Sequence, residues 1–236
     1  MLPMADTQIR PRPPVAFASG GRGNFDIFLA LFCGLLLLSN IGATKLIAVN
    51  LFGAFPLTFD GGAILFPLTY VIGDVLAEVY GLRRAKRAIV TGFGLSIVAS
   101  LTFLAVAAAP PDPSWTNQEA FEAILGFVPR IVVASLVGYV VGQWLNAWVL
   151  VRIKRITAER NLWIRLIGST IVGEAADTTL FCLIAWGGLI GAGTMVNYIV
   201  VGFVYKVAVE TICLPVTYLV IGRVKRHEPD YAPVTA

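Results

Sequence analysis

Glu174 and Asp177 stand three residues apart, Lys206 and Glu210 four apart, and Asp74 and Glu78 four apart, each pair inside a long apolar stretch. On a helix, residues at these spacings share a face. Carboxylates with a lysine among them can accept the N–H donors of a polar ligand, neutralise a cation or hold a proton. Lys206 and Glu210 can equally form an ion pair along one helix. Asn40 and Thr44 in the first apolar stretch, and Gln143 and Asn146 in the fourth, add neutral hydrogen-bonding groups. Amides in such stretches also serve plain helix–helix contact. The parts of other chemistries are missing. The single histidine, His227, stands outside every apolar stretch, so no Ser–His dyad forms within one. There is no GxSG motif, no His/Cys cluster with metal-ligand spacing and no Walker A motif. The spacing Asp74…Glu78 also occurs in metal–diphosphate sites of membrane prenyltransferases, but those need further aspartates in aqueous loops and a longer chain. The residues call for no metal and no cofactor.

The elements that hold these charges follow from composition. The chain has 236 residues, of which 57% are hydrophobic and only 14% charged, against about 25% charged in soluble proteins. Its mean hydropathy is +0.80. A soluble domain of this size has too little interior to hide that much apolar surface. The reading is an all-α integral membrane protein, which excludes a soluble enzyme and a disulfide scaffold. Cys33, Cys182 and Cys213 lie apart in apolar stretches and read as small hydrophobes. A span needs about 20 apolar residues. Six transmembrane helices are expected, near 26–48, 61–80, 87–109, 127–150, 162–187 and 195–222. Residues 119–126 read as a short interfacial piece, because Pro129 suits a first helical turn. Pro67 and Pro215 fall inside spans two and six and should break them. Gly138 and Gly142 form a GxxxG that reads as packing. Residues 1–24 are polar and proline-bearing and read as a disordered cytoplasmic tail. Residues 25–226 form the membrane domain, and 227–236 a second tail.

Basic residues orient the spans. Of the 18, fifteen lie in the N-terminal tail, in or beside the loops after spans two and four, or at the C-terminus, and the alternate loops hold none. The positive-inside rule then puts both termini in the cytoplasm. Topology accounts for the net charge of +4 without a nucleic acid partner. Six spans split three and three would place the halves in opposite orientation, the plan of a 3+3 inverted repeat. Gly73-Asp74 and Gly173-Glu174 are its one sequence hint. The remaining basics, Lys45, Arg130 and Lys206, and the acids Asp74, Glu78, Glu174, Asp177 and Glu210 lie within spans. Each would cost about 2.5–3.5 kcal/mol at the bilayer centre, so they must face protein or water and pair. Lys45, Arg130 and Glu78 fall near span ends, where a charge can snorkel to the interface. The others fall nearer the midplane and read as a polar cavity for a small molecule.

One block carries more specific information. Ser39-Asn40…Lys45 and Phe66-Pro67-Leu68-Thr69-Tyr70-Val71-Ile72-Gly73-Asp74-Val75-Leu76-Ala77-Glu78-Val79-Tyr80-Gly81 resemble the bacterial queuosine precursor transporter family, also called the vitamin uptake transporter family. Arg130…Ser135, Trp163-Ile164-Arg165…Ser169, Asp177-Thr178-Thr179…Phe181 and Tyr205-Lys206…Glu210…Pro215…Tyr218 extend the resemblance over about 26–226. Asn146 stands where the family pattern has an aspartate. The resemblance implies a six-helix inner-membrane importer, not an enzyme. Its cargo would be 7-cyano-7-deazaguanine or the 7-aminomethyl form, salvaged to make queuosine in transfer RNA. On that footing Glu174 and Asp177 would accept from the N–H and NH2 edge of the base. Asp74 and Glu78 would serve a substrate amine or a coupling proton. Lys206 would balance the acids or donate, Asn40 would hydrogen-bond, and Trp163 or Tyr70 would stack on the ring. Lys45, Arg130 and Glu210 complete the expected substrate site, and two copies would pair as a homodimer. Two other readings stay open. One is the substrate-capturing membrane subunit of an energy-coupling-factor transporter, with Ala30 and Gly34 as a helix-docking patch. The other is a membrane enzyme acting on a lipid or nucleotide.

Overall fold

The computed structural model describes residues 23–51, 55–156 and 162–228. The tail expected over 1–24 and the end of that over 227–236 thus fall largely outside the described residues. Among those residues the chain runs α1 (Phe25–Gly42), β1 (Leu46–Leu51), β2 (Phe55–Asp60), a 3-10 turn (Gly61–Leu65), α2 (Phe66–Tyr80), α3 (Leu82–Ala108), α4 (Gln118–Leu125), α5 (Val128–Ile156), α6 (Leu162–Trp186) and α7 (Ala192–His227). Five segments are long and apolar enough to cross a membrane: α1, Gly61–Tyr80, α3, Gln118–Val149 and α7. α6, with 25 residues, matches them in length. α3 has 27 residues, about 40 Å at 1.5 Å per residue, enough to cross a hydrocarbon layer of about 30 Å with tilt.

The apolar surface points outward as well as inward. Val90, Ile212 and Leu219 are 72%, 71% and 75% exposed. They stand in a broad field of exposed aliphatic and tryptophan side chains on α3, α5 and α7. Such a field is untenable in water and ordinary against lipid. With its apolar helices it makes this a multi-pass membrane protein.

Two expectations are corrected. The first span does not run to residue 48. α1 ends at Gly42, and β1 and β2 pair as an antiparallel hairpin with Leu46 opposite Asp60 and Ala48 opposite Thr58. The apolar run through Leu46, Ile47 and Val49 continues the hydropathy of the helix and masks the change of structure. The hairpin lies tight against α1, where a Cβ on Gly61 would come within 2.6 Å of the Gly42 carbonyl oxygen. Pro67, expected to break a span, instead occupies the first turn of α2, where its missing N–H costs nothing. The turn before it is 3-10 rather than α. Pro215 does lie inside α7, which continues past it to His227. Residues 118–125 form a helix separate from α5, as the 119–126 reading anticipates.

α5 and α6 make the most extensive helix contact, and glycines permit it. A Cβ on Gly142 would stand 2.9 Å from the Gly173 carbonyl oxygen, and one on Gly138 would stand 2.8 Å from Asp177 Oδ1. The GxxxG is therefore packing, and what it packs against is the face that carries Asp177. Gly173 is equally tight, with Asn146 Cβ 2.8 Å from its would-be Cβ, whereas Gly73 meets only Phe32, at 3.8 Å. The two glycine–acid pairs that hinted at a repeat thus sit in unlike surroundings. Near the basic ends of the helices, Phe25, Phe32, Val75, Val79, Tyr80 and Ala88 form one core with Val220 and Val224 against it. Near the hairpin end, Ala43, Ile131, Ala134 and Ala185 form another.

Candidate functional site

A cavity of about 240 Å³ lies between these two cores. α1 contributes Ser39 and Asn40, the hairpin Phe59 and Asp60, and α5 Ser135 and Tyr139. α6 contributes Asp177, Phe181 and Cys182, and α7 contributes Tyr198, Tyr205 and Lys206. Phe66 of α2 and Phe93 of α3 close the apolar walls.

Its charged floor is a lysine between two carboxylates. Lys206 donates to Asp177 Oδ2 in a very short contact and lies 3.6 Å from Glu174 Oε2. The i,i+3 spacing of the two acids on α6 places both toward one lysine on α7. Lys206 therefore pairs across helices and not with Glu210 along its own. The Lys206 side chain is 22% exposed, so the pair is partly desolvated and its attraction only partly screened. Its ammonium also stands 5.7 Å from the centre of the Phe66 ring.

Asn40 forms a neutral wall. Buried to 3% exposure, it donates from Nδ2 to Ser96 Oγ at 3.3 Å and accepts at Oδ1 from Ser135 Oγ at 3.1 Å. These bonds fix the amide orientation and tie α1 to α3 and α5.

The roof comes from the hairpin. Asp60 Oδ2 accepts from the Tyr198 hydroxyl at 2.6 Å and Oδ1 accepts from the Gly62 amide at 2.8 Å. Burial pushes the Asp60 carboxyl above its usual range, against the pull of the Tyr198 hydroxyl and the backbone amides of Gly62 and Ala63. One face of α7 holds this roof in place. Asn197 Oδ1 accepts from Thr58 N at 2.9 Å, Asn197 Nδ2 donates to Pro56 O at 2.8 Å, and the Tyr205 hydroxyl donates to Ala63 O at 2.9 Å.

Of the residues expected in a site, the structure brings Asn40, Asp177 and Lys206 to the cavity wall, with Glu174 against Lys206 just outside it. Tyr70, Asp74 and Glu210 gather elsewhere. Glu210 interacts with Tyr70 and Asp74 of α2 and with Glu174 of α6. Glu78 adjoins Asp74 and pairs with Lys225 at 2.7 Å, its side chain 59% exposed. The acids thus run from the cavity floor toward the basic end of the bundle. Arg130 is elsewhere and has another task. Its guanidinium donates to Ile184 O and Gly187 O at 2.7 and 2.6 Å, satisfying carbonyls at the C-terminus of α6. Lys45 is exposed in the turn between α1 and β1, away from the cavity lining. Trp163 belongs to the first turn of α6, but its side chain falls outside the described residues. Sequence reasoning missed Asp60 and Tyr198. The usable signal was an acid followed by two glycines immediately before an apolar run, Asp60-Gly61-Gly62.

Comparison with known proteins finds a family and named relatives. Residues 60–220 match the family described as "Putative vitamin uptake transporter". The chain is 33% identical over 171 residues to the "Probable queuosine precursor transporter" of Bacillus subtilis (strain 168), covering 72% of this chain and 73% of that one. It is 30% identical over 125 residues to the "Queuosine precursor transporter" of Escherichia coli (strain K12), covering 53% of this chain and 54% of that one. It is 26% identical over 142 residues to the "Probable queuosine precursor transporter" of Haemophilus influenzae, covering 60% and 58%. No solved structure matches the chain.

Proposed function

The chain belongs to the vitamin uptake transporter family, the queuosine precursor transporters, and we propose that it carries queuosine precursors across the bacterial inner membrane, with both termini in the cytoplasm. The cargo is a 7-deazaguanine bearing a cyano or aminomethyl group, destined for salvage into transfer RNA. The observation that carries this reading is the Lys206 ammonium held between Asp177 and Glu174 at the floor of a cavity whose other walls carry aromatic rings, hydroxyls, the Asn40 amide and the Asp60 carboxyl. A deazaguanine offers adjacent N–H and NH2 donors on one edge, which a carboxylate accepts in bidentate fashion. On that assignment Asp177 takes the donor edge, with Glu174 behind it. Lys206 donates to the carbonyl beside that edge, and Asn40 binds from the opposite wall. Phe66, Phe93 and Phe181 line the cavity, and on this assignment they stack on the planar ring. Asp74, Glu78 and Glu210 lie off the cavity wall and are assigned to a coupling proton that leaves toward the basic end.

A salvage assay tests the reading. A bacterium lacking both precursor synthesis and its own importer would express the chain, receive nanomolar precursor, and be scored for queuosine in transfer RNA by mobility shift. Restored queuosine is the expected result, lost on Asp177→Asn or Glu174→Gln in protein that still reaches the membrane. Normal transport by both variants would sink the carboxylate assignment.

One observation favours the energy-coupling-factor alternative. Ala30 and Gly34 are exposed on α1, and nothing lies within 4 Å of a Cβ built on Gly34. Import in a host without any energy-coupling ATPase would exclude that reading.

A further inference from the structure

The cavity holds a second carboxylate whose charge is not balanced as Asp177 is. Asp60 and Asp177 are the carboxyl side chains of the cavity wall and Lys206 is its amine. Lys206 bonds Asp177 and stands 3.6 Å from Glu174, and it reaches Asp60 only through a weaker electrostatic pull. Among the described residues no basic nitrogen lies within ion-pair distance of Asp60. Its partners are neutral donors, the Tyr198 hydroxyl and the Gly62 and Ala63 amides. A carboxylate has about four lone-pair directions, and these bonds do not fill them. With both carboxyls ionised the wall carries one negative charge more than Lys206 neutralises, and the surplus sits on the hairpin roof, where a bound cation would offset the cost of its burial.

We propose that Asp60 is a subsite for a cationic ammonium group on the transported ligand. The ligand then spans the cavity, its hydrogen-bonding edge toward Asp177 and Lys206 and its ammonium toward the roof. A charged hydrogen bond to a carboxylate in such a partly dry site is stronger than one to a neutral acceptor. The subsite makes the chain prefer an amine-bearing ligand over a neutral one of the same shape. The proposal rests on the deazaguanine reading and adds which substituent the site selects.

The two cargo candidates are matched probes, since one carries a cationic aminomethyl group and the other a neutral cyano group on the same ring system. Purified full-length chain in lipid nanodiscs would be titrated with each by calorimetry. Wild type should bind the aminomethyl compound more tightly. Asp60→Asn keeps an N-cap residue of equal quality for the 3-10 turn, so the roof is retained while the charge is lost. It should weaken aminomethyl binding about tenfold to a hundredfold and leave cyano binding within about twofold. Tyr198→Phe removes the hydroxyl and keeps the charge, and should retain the preference. Equal weakening of both compounds by Asp60→Asn, or no weakening of either, would overturn the proposal. So would loss of the preference in Tyr198→Phe, which would trace it to the roof's position and not its charge. Binding of neither compound by wild type would overturn the deazaguanine reading, and this proposal with it, before any variant is made.

Discussion

Lys206 has one ammonium and two carboxylate neighbours, so its removal and theirs are not equivalent. Lys206→Met keeps the length of the side chain but leaves Asp177 and Glu174 side by side without a cation. Breaking a buried ion pair from one side costs about 3–5 kcal/mol. At 22% exposure the lower part of that range is expected, seen as a clear fall in thermal midpoint in detergent. Adding Asp177→Asn to Lys206→Met should recover a good part of the lost midpoint, because one of the two facing charges is gone. It should not recover transport, because the groups that read the ligand are still absent. A double variant no more stable than Lys206→Met would mean that the lysine acts through packing rather than charge. At this scale the sequence was partly legible. Intramembrane charges are expensive enough that Glu174, Asp177 and Lys206 stood out without a structure. Asp60 did not, because a carboxylate beside a span carries no such cost when its loop is assumed to face water. Arg130 stood out for the same reason as Lys206. Burial demanded a partner, and the partners are the carbonyls that end α6.

The hairpin is the element least visible in the sequence and the one on which the roof depends. A two-stranded ribbon is marginal by itself, and its register alone cannot fix where Asp60 points. α7 supplies what is missing through Asn197, which accepts from Thr58 N and donates to Pro56 O. Each such bond is worth about 0.5–1.5 kcal/mol. Asn197→Ala should leave the helical bundle intact, since Asn197 touches β2 from the first turns of α7. It should raise the hydrogen-exchange rate of the Thr58 amide by about tenfold, the change expected for roughly 1.4 kcal/mol of lost protection. Unchanged exchange there would show that the Tyr198–Asp60 and Tyr205–Ala63 bonds suffice to hold the ribbon. The membrane-length apolar segments, five of them among the described residues, were readable from run length, because each must satisfy its own backbone in lipid. Strands at the end of a span were not, since the hydropathy of β1 continues that of α1.

Across the whole molecule, fifteen of the 18 basic residues fall in the tails or at one end of the expected spans, which is why orientation could be argued before any fold was known. The acids extend this asymmetry inward, from Asp177 and Glu174 by way of Glu210 and Asp74 to Glu78, which meets Lys225. A cation or proton entering at the hairpin roof thus meets Lys206 among its first carboxylates, then acids alone until Lys225 at the far end. For import, the hairpin must face outward and the Lys225 end must face the cytoplasm. Single cysteines would decide this, placed in a chain whose Cys33, Cys182 and Cys213 have been replaced. Ser114 lies exposed in the loop between α3 and α4, and His227 lies exposed at the end of α7. Ser114→Cys should react with a membrane-impermeant maleimide in intact cells. His227→Cys should react only after permeabilisation. The reverse pattern would place the hairpin in the cytoplasm and overturn the proposed orientation.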